Sequence, residues 1–340
     1  MQYDNNEFKV EYQSVKQNCL QVKACEKCTT LSGDDSCPVC KENKLHGVHE
    51  GANKVLFRTV MDITKTFLLI CGIMITMSTA AVSISDAGET LKIGGTGSGL
   101  RVMKLLGEAY EKKNPGTKVQ VMPNLGSAGG IRGVGKRALD IGISARSLKD
   151  NEKDYKLSLV EYARTPFVIV VRRDVAVSDL KMEDLVQIYD GRTQTWPDGR
   201  RIRPVVRPAE DIDTQIAKKM SPVMEKAVET AMSRQGVLTA VTDQEATNTI
   251  ERTPGAIGFS TLGQITSEKL PLKILSLDGV SPTIRTLSNG SYKPYKVLIL
   301  VTNSEPSAEV REFLRFIASA AGKKIFKESG YLVTLPKNGQ

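Results

Sequence analysis

The sequence predicts a large α/β part made of two lobes, preceded by an apolar segment and a small cysteine-rich start. Three observations give this prediction. From residue 90 onward, short apolar runs alternate with segments of helical periodicity, through two cycles. Residues 66–85 contain no charged side chain. All six cysteines lie within the first 71 residues, so the large part contains none.

The uncharged segment at residues 66–85, TFLLICGIMITMSTAAVSIS, has the length of a membrane span. Twenty helical residues rise about 30 Å, the thickness of the hydrocarbon layer. Lysines and arginines precede the segment and Asp86 and Glu89 follow it, which predicts a cytoplasmic N-terminus and places residues 86–340 outside. The sequence also fits a cleaved signal peptide that begins at Met61. We expect single-pass anchoring in the inner membrane, with release into the periplasm as the alternative.

Residues 1–65 contain a pattern typical of a small zinc site. Cys25 and Cys28 form one C-x-x-C pair, and Cys37 and Cys40 form a second one after a short turn. Four thiolates so spaced can surround zinc tetrahedrally, and a metal can fold a segment that is too short to build its own core. The pattern predicts a cytoplasmic zinc ribbon. Redox-active cysteines, or cysteines without a function, are the alternatives.

Charge and composition limit the functions open to the large part. The chain has 47 Lys+Arg against 38 Asp+Glu, and residues 1–65 are charge-balanced, so the net charge of +9 lies beyond them. A basic surface favours an anionic partner, but the lack of long runs of like charge and the single Trp exclude a nucleic-acid interface. Both histidines, His46 and His49, are N-terminal. The large part therefore lacks His- and Cys-based nucleophile systems, and we expect neither enzymatic activity nor a cofactor there.

Predicted strands and helices alternate along the large part. The turn at 114–116 and Gly191 mark helix ends. The repeated strand-helix-strand order predicts a mainly parallel sheet. The predicted strands are 91–93, 118–122, 140–144, 167–171, 204–206, 256–260 and 296–301, and the predicted helices are 100–114, 131–138, 182–189, two between 213 and 240, and 308–327.

Two glycine-rich loops precede predicted helices. The first, at residues 95–99, resembles a dinucleotide-binding turn but lacks its third glycine and the following acid, which excludes NAD. The second contains a partial P-loop at 130–136, but Arg137 stands where a Ser or Thr would hold magnesium. Ser98 and Ser127 place hydroxyls at two helix N-termini, where an anion is favoured; ordinary helix caps are the alternative.

Five short motifs follow one another through the large part: GTGSG at 95–99, GSAGGI at 126–131, DIGISARSL at 140–148, the stretch 185–196 with YDG and TW, and PGAIGF at 254–259. Their order and spacing resemble the substrate-binding proteins of phosphate ABC transporters, over residues 91 to 335. The resemblance implies a type II periplasmic-binding-protein fold, in which two α/β lobes enclose a ligand cleft. It implies that residues 86–171 and 296–340 form one lobe and residues 172–295 the other, with strands 167–171 and 296–301 crossing between them.

The same resemblance implies how the ligand is held. The first loop would supply a hydroxyl and a backbone N–H, and the second loop would supply a serine. An Arg-x-x-x-Ser-Gly-Thr element, which aligns with residues 208–214, would supply an arginine and a threonine. Arg207 stands one position before the arginine of that element. The implied ligand-binding residues are Ser98, Gly99, Ser127, Arg207 and Thr214.

Four positions depart from the family pattern. Pro208 occupies the arginine position, Ile212 and Asp213 replace Ser-Gly, and Ala145 stands where the family has an acid that accepts a phosphate proton. At about 4 Å and an effective dielectric constant of about 20, a carboxylate repels a bound anion by about 4 kcal/mol. Asp213 and its neighbour Asp211 are therefore expected either to cap the following helix and point away, or to bind an amine or hydroxyl group of a different ligand.

Two function classes follow. The first is an extracytoplasmic solute-binding protein that closes on phosphate or a related small oxyanion and presents it to an ABC permease. The alternative is a membrane-anchored sensor or interaction protein whose degenerate binding domain takes a different small polar ligand. A retained anchor favours the alternative, and a cleaved signal favours transport.

Overall fold

The computed structural model describes residues 90–334. The predicted zinc ligands Cys25, Cys28, Cys37 and Cys40 and the predicted membrane segment 66–85 lie outside the described residues. Within 90–334, no helix combines the length and the apolar character needed to cross a membrane.

The strands follow the apolar runs of the sequence, and most begin or end within two residues of the predicted bounds. The strands are β1 (Thr90–Gly95), β2 (Lys118–Val121), β3 (Ile141–Ser144), β4 (Leu157–Arg172), β5 (Asp179–Leu180), β6 (Arg203–Val206), β7 (Leu238–Thr239), β8 (Ala256–Thr261), β9 (Leu272–Ile274), β10 (Ser276–Leu277), β11 (Tyr295–Asn303) and β12 (Leu332–Val333).

One long strand, β4, joins the two lobes. Through Pro166 it pairs with β11, and from Phe167 onward it pairs with β8 and then with β9. Below, lobe 1 means residues 90–166 and 295–334, and lobe 2 means residues 167–294. The strand order is β2-β1-β3-β11-β4 in lobe 1 and β4-β8-β6-β7 in lobe 2.

The prediction of a mainly parallel sheet is correct only for the outer strands of each lobe. β1 runs parallel to β2 and β3, and β6 runs parallel to β7 and β8. At the centre, β11 is antiparallel to β3 and β4, and β4 is antiparallel to β8. The chain enters lobe 2 along β4 and returns along β11, and two neighbouring strands that run out and back are antiparallel.

Helices cover the sheet of each lobe. They are α1 (Gly97–Lys113), α2 (Gly126–Gly135), a 3₁₀ helix (Asp150–Tyr155), α3 (Met182–Asp190), α4 (Ile212–Lys219), α5 (Pro222–Ser233), α6 (Asp243–Arg252), α7 (Leu262–Glu268), α8 (Ile284–Ser288), α9 (Ala308–Ala318) and α10 (Ala320–Glu328).

Two helix predictions need correction. The predicted helix 308–327 is divided at Ser319, whose extended backbone (φ −68°, ψ 167°) ends α9 and whose hydroxyl caps α10 by accepting a hydrogen bond from Gly322. The predicted loop 126–130 is the first part of α2. A Cβ on Gly130 would lie 2.9 Å from the Cα of Gly95, so glycine lets this helix approach β1 closely.

The apolar core lies on both faces of the sheet in each lobe. Alternate residues of β4 separate in this way, with Phe167 and Ile169 in one cluster and Val168 and Val170 in another. All four are at most 1% exposed, as the continuous apolar run 167–171 predicts for a strand covered on both sides. Full burial of each such side chain stabilises the fold by about 1.5–3 kcal/mol.

Candidate functional site

A cavity of about 410 Å³ lies between the lobes. Lobe 1 lines it with the loops that precede α1 and α2 and with residues 146–149. Lobe 2 lines it with the loop between β6 and α4 and with the start of α6. The lining residues include Thr96, Gly126, Ser127, Arg146, Lys149, Arg207, Asp211, Asp243 and Lys296.

The start of α2 forms the lobe 1 wall of the cavity. Gly126 has a left-handed backbone (φ 65°), and its N–H donates to Asn124 Oδ1 at 2.9 Å. Leu125, at the N-cap position, makes no side-chain cap, and Ser127 Oγ accepts a hydrogen bond from the N–H of Ala145 at 2.9 Å. The first-turn N–H groups beyond Gly126 therefore have no side-chain acceptor from the cap residue, which favours an anion at this end of the helix.

The first glycine-rich loop is more enclosed than the resemblance implies. Thr96 lines the cavity, but Ser98 and Gly99 are buried beside it and do not line it. Ser98 is 2% exposed, and none of the described residues forms a hydrogen bond with its hydroxyl. A Cβ on Gly97 would come within 2.7 Å of the Asp243 carboxylate, so a carboxylate of lobe 2 packs at the N-terminus of α1.

Arg207 follows β6 and brings a guanidinium group into the lobe 2 wall. The residue is only 7% exposed, its Nη2 donates to Asp211 Oδ2 at 2.5 Å, and the same atom lies 4.0 Å from Asp243 Oδ2. Its Nε and Nη1 are buried and have no hydrogen-bond partner in the part of the chain that the structure describes. Thr214 stands behind the arginine, because its hydroxyl donates to the carbonyl oxygen of Arg207 at 3.1 Å and it does not line the cavity.

Lys296, at the start of β11, is a cleft residue that the sequence reasoning assigned only to a strand. Its Nζ lies 2.6 Å from Asp213 Oδ1 and donates to Asp243 Oδ1 at 2.9 Å. All three side chains are at most 5% exposed. Asp243 also accepts a hydrogen bond from Asn124 at 3.3 Å. A lysine that opens the apolar run VLILV is a signal that could have drawn attention to it, since buried lysines are rare unless paired.

Lys296 and Arg207, with the carboxylates of Asp211, Asp213 and Asp243, form what we call the interlobe charge cluster. Two cations face three carboxylates, so the cluster carries one net negative charge when all five groups are ionised. Asp211 also accepts a hydrogen bond from the N–H of Asp213 and thereby caps α4. Asp211 thus caps the helix, which is the first of the two expectations, but it contacts Arg207 and does not point away from the cleft, and Asp213 turns inward to Lys296.

Comparison with known proteins places the chain in a family. A family model described as a PBP superfamily domain matches residues 80–321. The chain belongs to the PBP superfamily. It is 27% identical to the phosphate-binding protein PstS of Borreliella burgdorferi, over 73% of this chain and 91% of that protein. It is 25% identical to the phosphate-binding protein PstS of Bacillus subtilis, over 77% and 89% respectively. The sequence resemblance to substrate-binding proteins of phosphate ABC transporters is confirmed.

A solved structure agrees with the two-lobed fold of this PBP-superfamily chain. The crystal structure of a putative phosphate ABC transporter substrate-binding protein from Clostridium perfringens, with bound phosphate, matches with a TM-score of 0.61 at 23% identity. The match covers 72% of this chain and all of the other, and at this identity it shows the fold alone. The predicted two-lobed α/β architecture is confirmed for the described residues.

The two most buried carboxyl groups of the cleft, those of Asp213 and Asp243, have pKa values that are shifted in opposite directions. Burial raises the pKa of Asp213 to about 6, even though Lys296 lowers it. Burial alone would also raise the pKa of Asp243, but attraction to Lys296 and Arg207 and hydrogen bonds from Lys296 and Asn124 hold it below its usual value. For Lys296, attraction to the two carboxylates outweighs burial and raises the pKa.

The rim of the cleft has a different charge pattern. Arg146 donates both guanidinium ends to Glu152, at 2.6 and 2.7 Å, and these hydrogen bonds lower the pKa of that carboxyl group. Arg146 therefore makes a salt bridge within lobe 1. Lys149 is exposed on the same rim, and among residues 90–334 it has no ion-pair partner.

Three other residues of the family-like motifs have structural roles. Trp196 is 3% exposed and donates its indole N–H to the carbonyl of Gly255. Tyr189 is 1% exposed in the lobe 2 core, and Asp140 accepts a hydrogen bond from the N–H of Lys92 in β1.

Proposed function

We propose that this chain is an extracytoplasmic receptor that binds phosphate or a related small oxyanion and delivers it to an ABC permease. One observation carries the proposal: Arg207 is 7% exposed in the cleft, and within residues 90–334 two of its guanidinium nitrogens have no hydrogen-bond partner. A buried donor without a partner costs about 1–3 kcal/mol, more for a charged group, and an oxyanion bound there would remove this cost.

The proposed site holds the anion between the two lobes. Lobe 1 supplies the first-turn N–H groups of α2 and the hydroxyl of Ser127, and lobe 2 supplies the unpaired side of Arg207. An anion that contacts both lobes stabilises the closed form over an open one, and a permease can recognise that difference. The names of the two curated relatives, both phosphate-binding proteins, support phosphate as the first ligand to test.

The remaining family positions would contribute less directly. Thr214 would hold the backbone of Arg207 through its hydrogen bond, which makes it a positioning residue. Ser98 and Gly99 would fix the first loop, since both are buried and neither lines the cavity. The binding reaction needs no cofactor in residues 86–340 and involves no bond making or breaking.

Phosphate titration calorimetry on the purified full chain tests the proposal. Wild type should release or absorb heat on binding, and a Ser127→Ala/Arg207→Ala variant should lose at least about a hundredfold in affinity, since a charge-assisted contact and a hydroxyl contact are worth about 3 kcal/mol together. Arg203→Ala, an exposed arginine in the neighbouring strand, is the matched control and should bind as wild type does. Unchanged affinity in the double variant would show that the anion binds elsewhere.

The proposal extends to the N-terminal part. Residues 66–85 would anchor the receptor in the inner membrane, with residues 1–65 cytoplasmic and zinc on the four cysteines. Alternatively, translation would begin at Met61 and the segment would direct export as a cleaved signal peptide. N-terminal sequencing of the mature protein after membrane fractionation separates anchor from signal. Metal analysis of the full chain, with the four cysteines changed to serine as control, tests for one zinc per chain.

A second function has one observation in its favour. The three carboxylates of the interlobe charge cluster could accept hydrogen bonds from an amine or hydroxyl group, which fits a sensor of a different small polar ligand. Under this alternative, phosphate would give no heat in the titration, while a ligand that carries both an amine and an acid group would raise the melting temperature of the full chain.

A further inference from the structure

The interlobe charge cluster poses a problem for any anion that enters the cleft. Arg207 and Lys296 are outnumbered by three carboxylates, and four of the five residues are at most 7% exposed. Water screens such buried charges poorly. A bound oxyanion would add negative charge to a cluster that already has an excess of it, so binding needs a compensating positive charge.

The geometry distinguishes the carboxylate that is easiest to protonate. Three donor groups contact the Asp243 carboxylate: Lys296 and Asn124 through hydrogen bonds, and Arg207 at 4.0 Å. Among residues 90–334, the Asp213 carboxylate is contacted by one donor group, the Lys296 ammonium at 2.6 Å. A carboxylate that accepts fewer hydrogen bonds is less stabilised in its ionised form.

We propose that oxyanion binding in this cleft is coupled to the uptake of one proton from solvent by the interlobe charge cluster, with Asp213 as the acceptor. The inference rests on the proposed function, because it presumes that the cleft binds an oxyanion. Protonation removes the net negative charge of the cluster and leaves the Lys296 charge facing Asp243 alone. The lysine then adds to the positive potential that the anion meets.

The groups that face Asp213 determine the direction of the effect. Lys296 comes from β11, Asp243 from α6, Arg207 from the end of β6 and Asp211 from the cap of α4. Tyr189, from α3, lines a small cavity beside it and stays neutral because burial raises its pKa. A nearby anion disfavours ionised Asp213 and raises its pKa further above the value of about 6 in the free protein.

The linked equilibrium predicts how affinity changes with pH. Because the complex holds one more proton than the free protein, affinity falls as pH rises through the window between the free and the bound pKa of Asp213. Within that window the fall is about tenfold per pH unit, or up to about a hundredfold between pH 6 and pH 8. Phosphate itself also gains or loses a proton near neutrality, so the pH dependence must be compared with that of a variant.

Calorimetric titration of the full chain with inorganic phosphate, in two buffers of different ionisation enthalpy, measures proton uptake directly. Wild type should take up more protons than Asp213→Asn, by up to one per phosphate, and the variant should bind phosphate at least about tenfold more tightly at about pH 8. Asp198→Asn, an exposed aspartate of lobe 2, is the matched control and should behave as wild type does.

The outcomes separate the two proposals. Equal proton uptake in wild type and Asp213→Asn, with phosphate bound by both, overturns proton coupling and leaves the receptor function standing. Absence of phosphate binding in wild type at every pH overturns the function and the inference with it. If Asp213→Asn does not fold, infrared difference spectra of wild type decide the question: phosphate should produce the carbonyl band of a protonated carboxyl group, and its absence contradicts the inference.

Discussion

Replacement of Lys296 by methionine is the most informative test of the interlobe charge cluster. Methionine keeps the length and much of the apolar stem of the lysine, so the change removes the charge with little loss of volume. Asp213 and Asp243, at 2.6 and 2.9 Å from the lost ammonium group and at most 5% exposed, would be left without their shared cation. Removal of one partner from a buried ion pair costs about 3–5 kcal/mol, and we expect a loss of that size at pH 7.

The pH dependence of the Lys296→Met loss has a defined sign. In wild type, the depressed pKa of Asp243 stabilises the folded state, and this stability is lost as pH falls through that pKa. The raised pKa of Asp213 has the opposite effect: the folded state loses stability as pH rises to about 6. Without the lysine, both carboxyl groups have higher pKa values. The variant should therefore become more stable, relative to wild type, as pH is lowered from about 7 to about 5.

Urea denaturation, followed by the fluorescence of the single Trp196, measures these free energies of unfolding. Lys92→Met, which changes an exposed lysine of β1, is the matched control and should alter stability by less than about 0.5 kcal/mol. A further Asp213→Asn change in the Lys296→Met background should recover part of the loss, because it removes one uncompensated charge. A loss below about 1 kcal/mol at pH 7, or one that does not change with pH, would refute the reasoning.

Two further predictions concern lobe 1. Gly95→Ala would place a Cβ 1.9 Å from the carbonyl oxygen of Ile143 and should destabilise the protein by about 3 kcal/mol or more. Gly116→Ala has open space around its Cβ and should destabilise the protein by about 1 kcal/mol. Equal losses of stability in thermal denaturation would contradict the steric reasoning. Arg146→Gln should cost about 2 kcal/mol by breaking the two hydrogen bonds to Glu152, and Arg146→Lys should recover only part of it. The Arg146→Gln loss should shrink as pH falls through the lowered pKa of Glu152, because protonation of that carboxyl group removes the pair in wild type, and a constant loss would argue against the pair.

Much of the fold could be predicted because local patterns decide it. The apolar run 167–171 predicts a strand buried on both faces, and these residues are buried in β4. Gly191 ends α3 in the left-handed conformation (φ 87°) expected of a helix-terminating glycine. The first half of β4, residues 157–166, was missed because charged residues interrupt it and its exposure alternates. The break at Ser319 was missed because the helical periodicity runs through it.

The candidate site was less accessible to sequence reasoning because long-range pairing creates it. Lys296 and Asp243 are 53 positions apart, and no local pattern reports that β11 and α6 meet between the lobes. Family resemblance brought Ser127 and Arg207 to one cleft, although the arginine is displaced by one position. It did not predict that Asp213, which replaces a glycine of the family pattern, meets a lysine.

β4 belongs to both lobes, and this gives the protein an internal reference for hydrogen exchange. Amides up to Pro166 lie in a ladder with β11, and amides from Phe167 onward lie in a ladder with β8. Neighbouring peptides of a single strand thus report the opening of different lobes under identical conditions of pH, temperature and labelling time. A ligand that ties the lobes together would slow exchange on both sides of that junction, whereas one that binds to a single lobe would slow it on one side only.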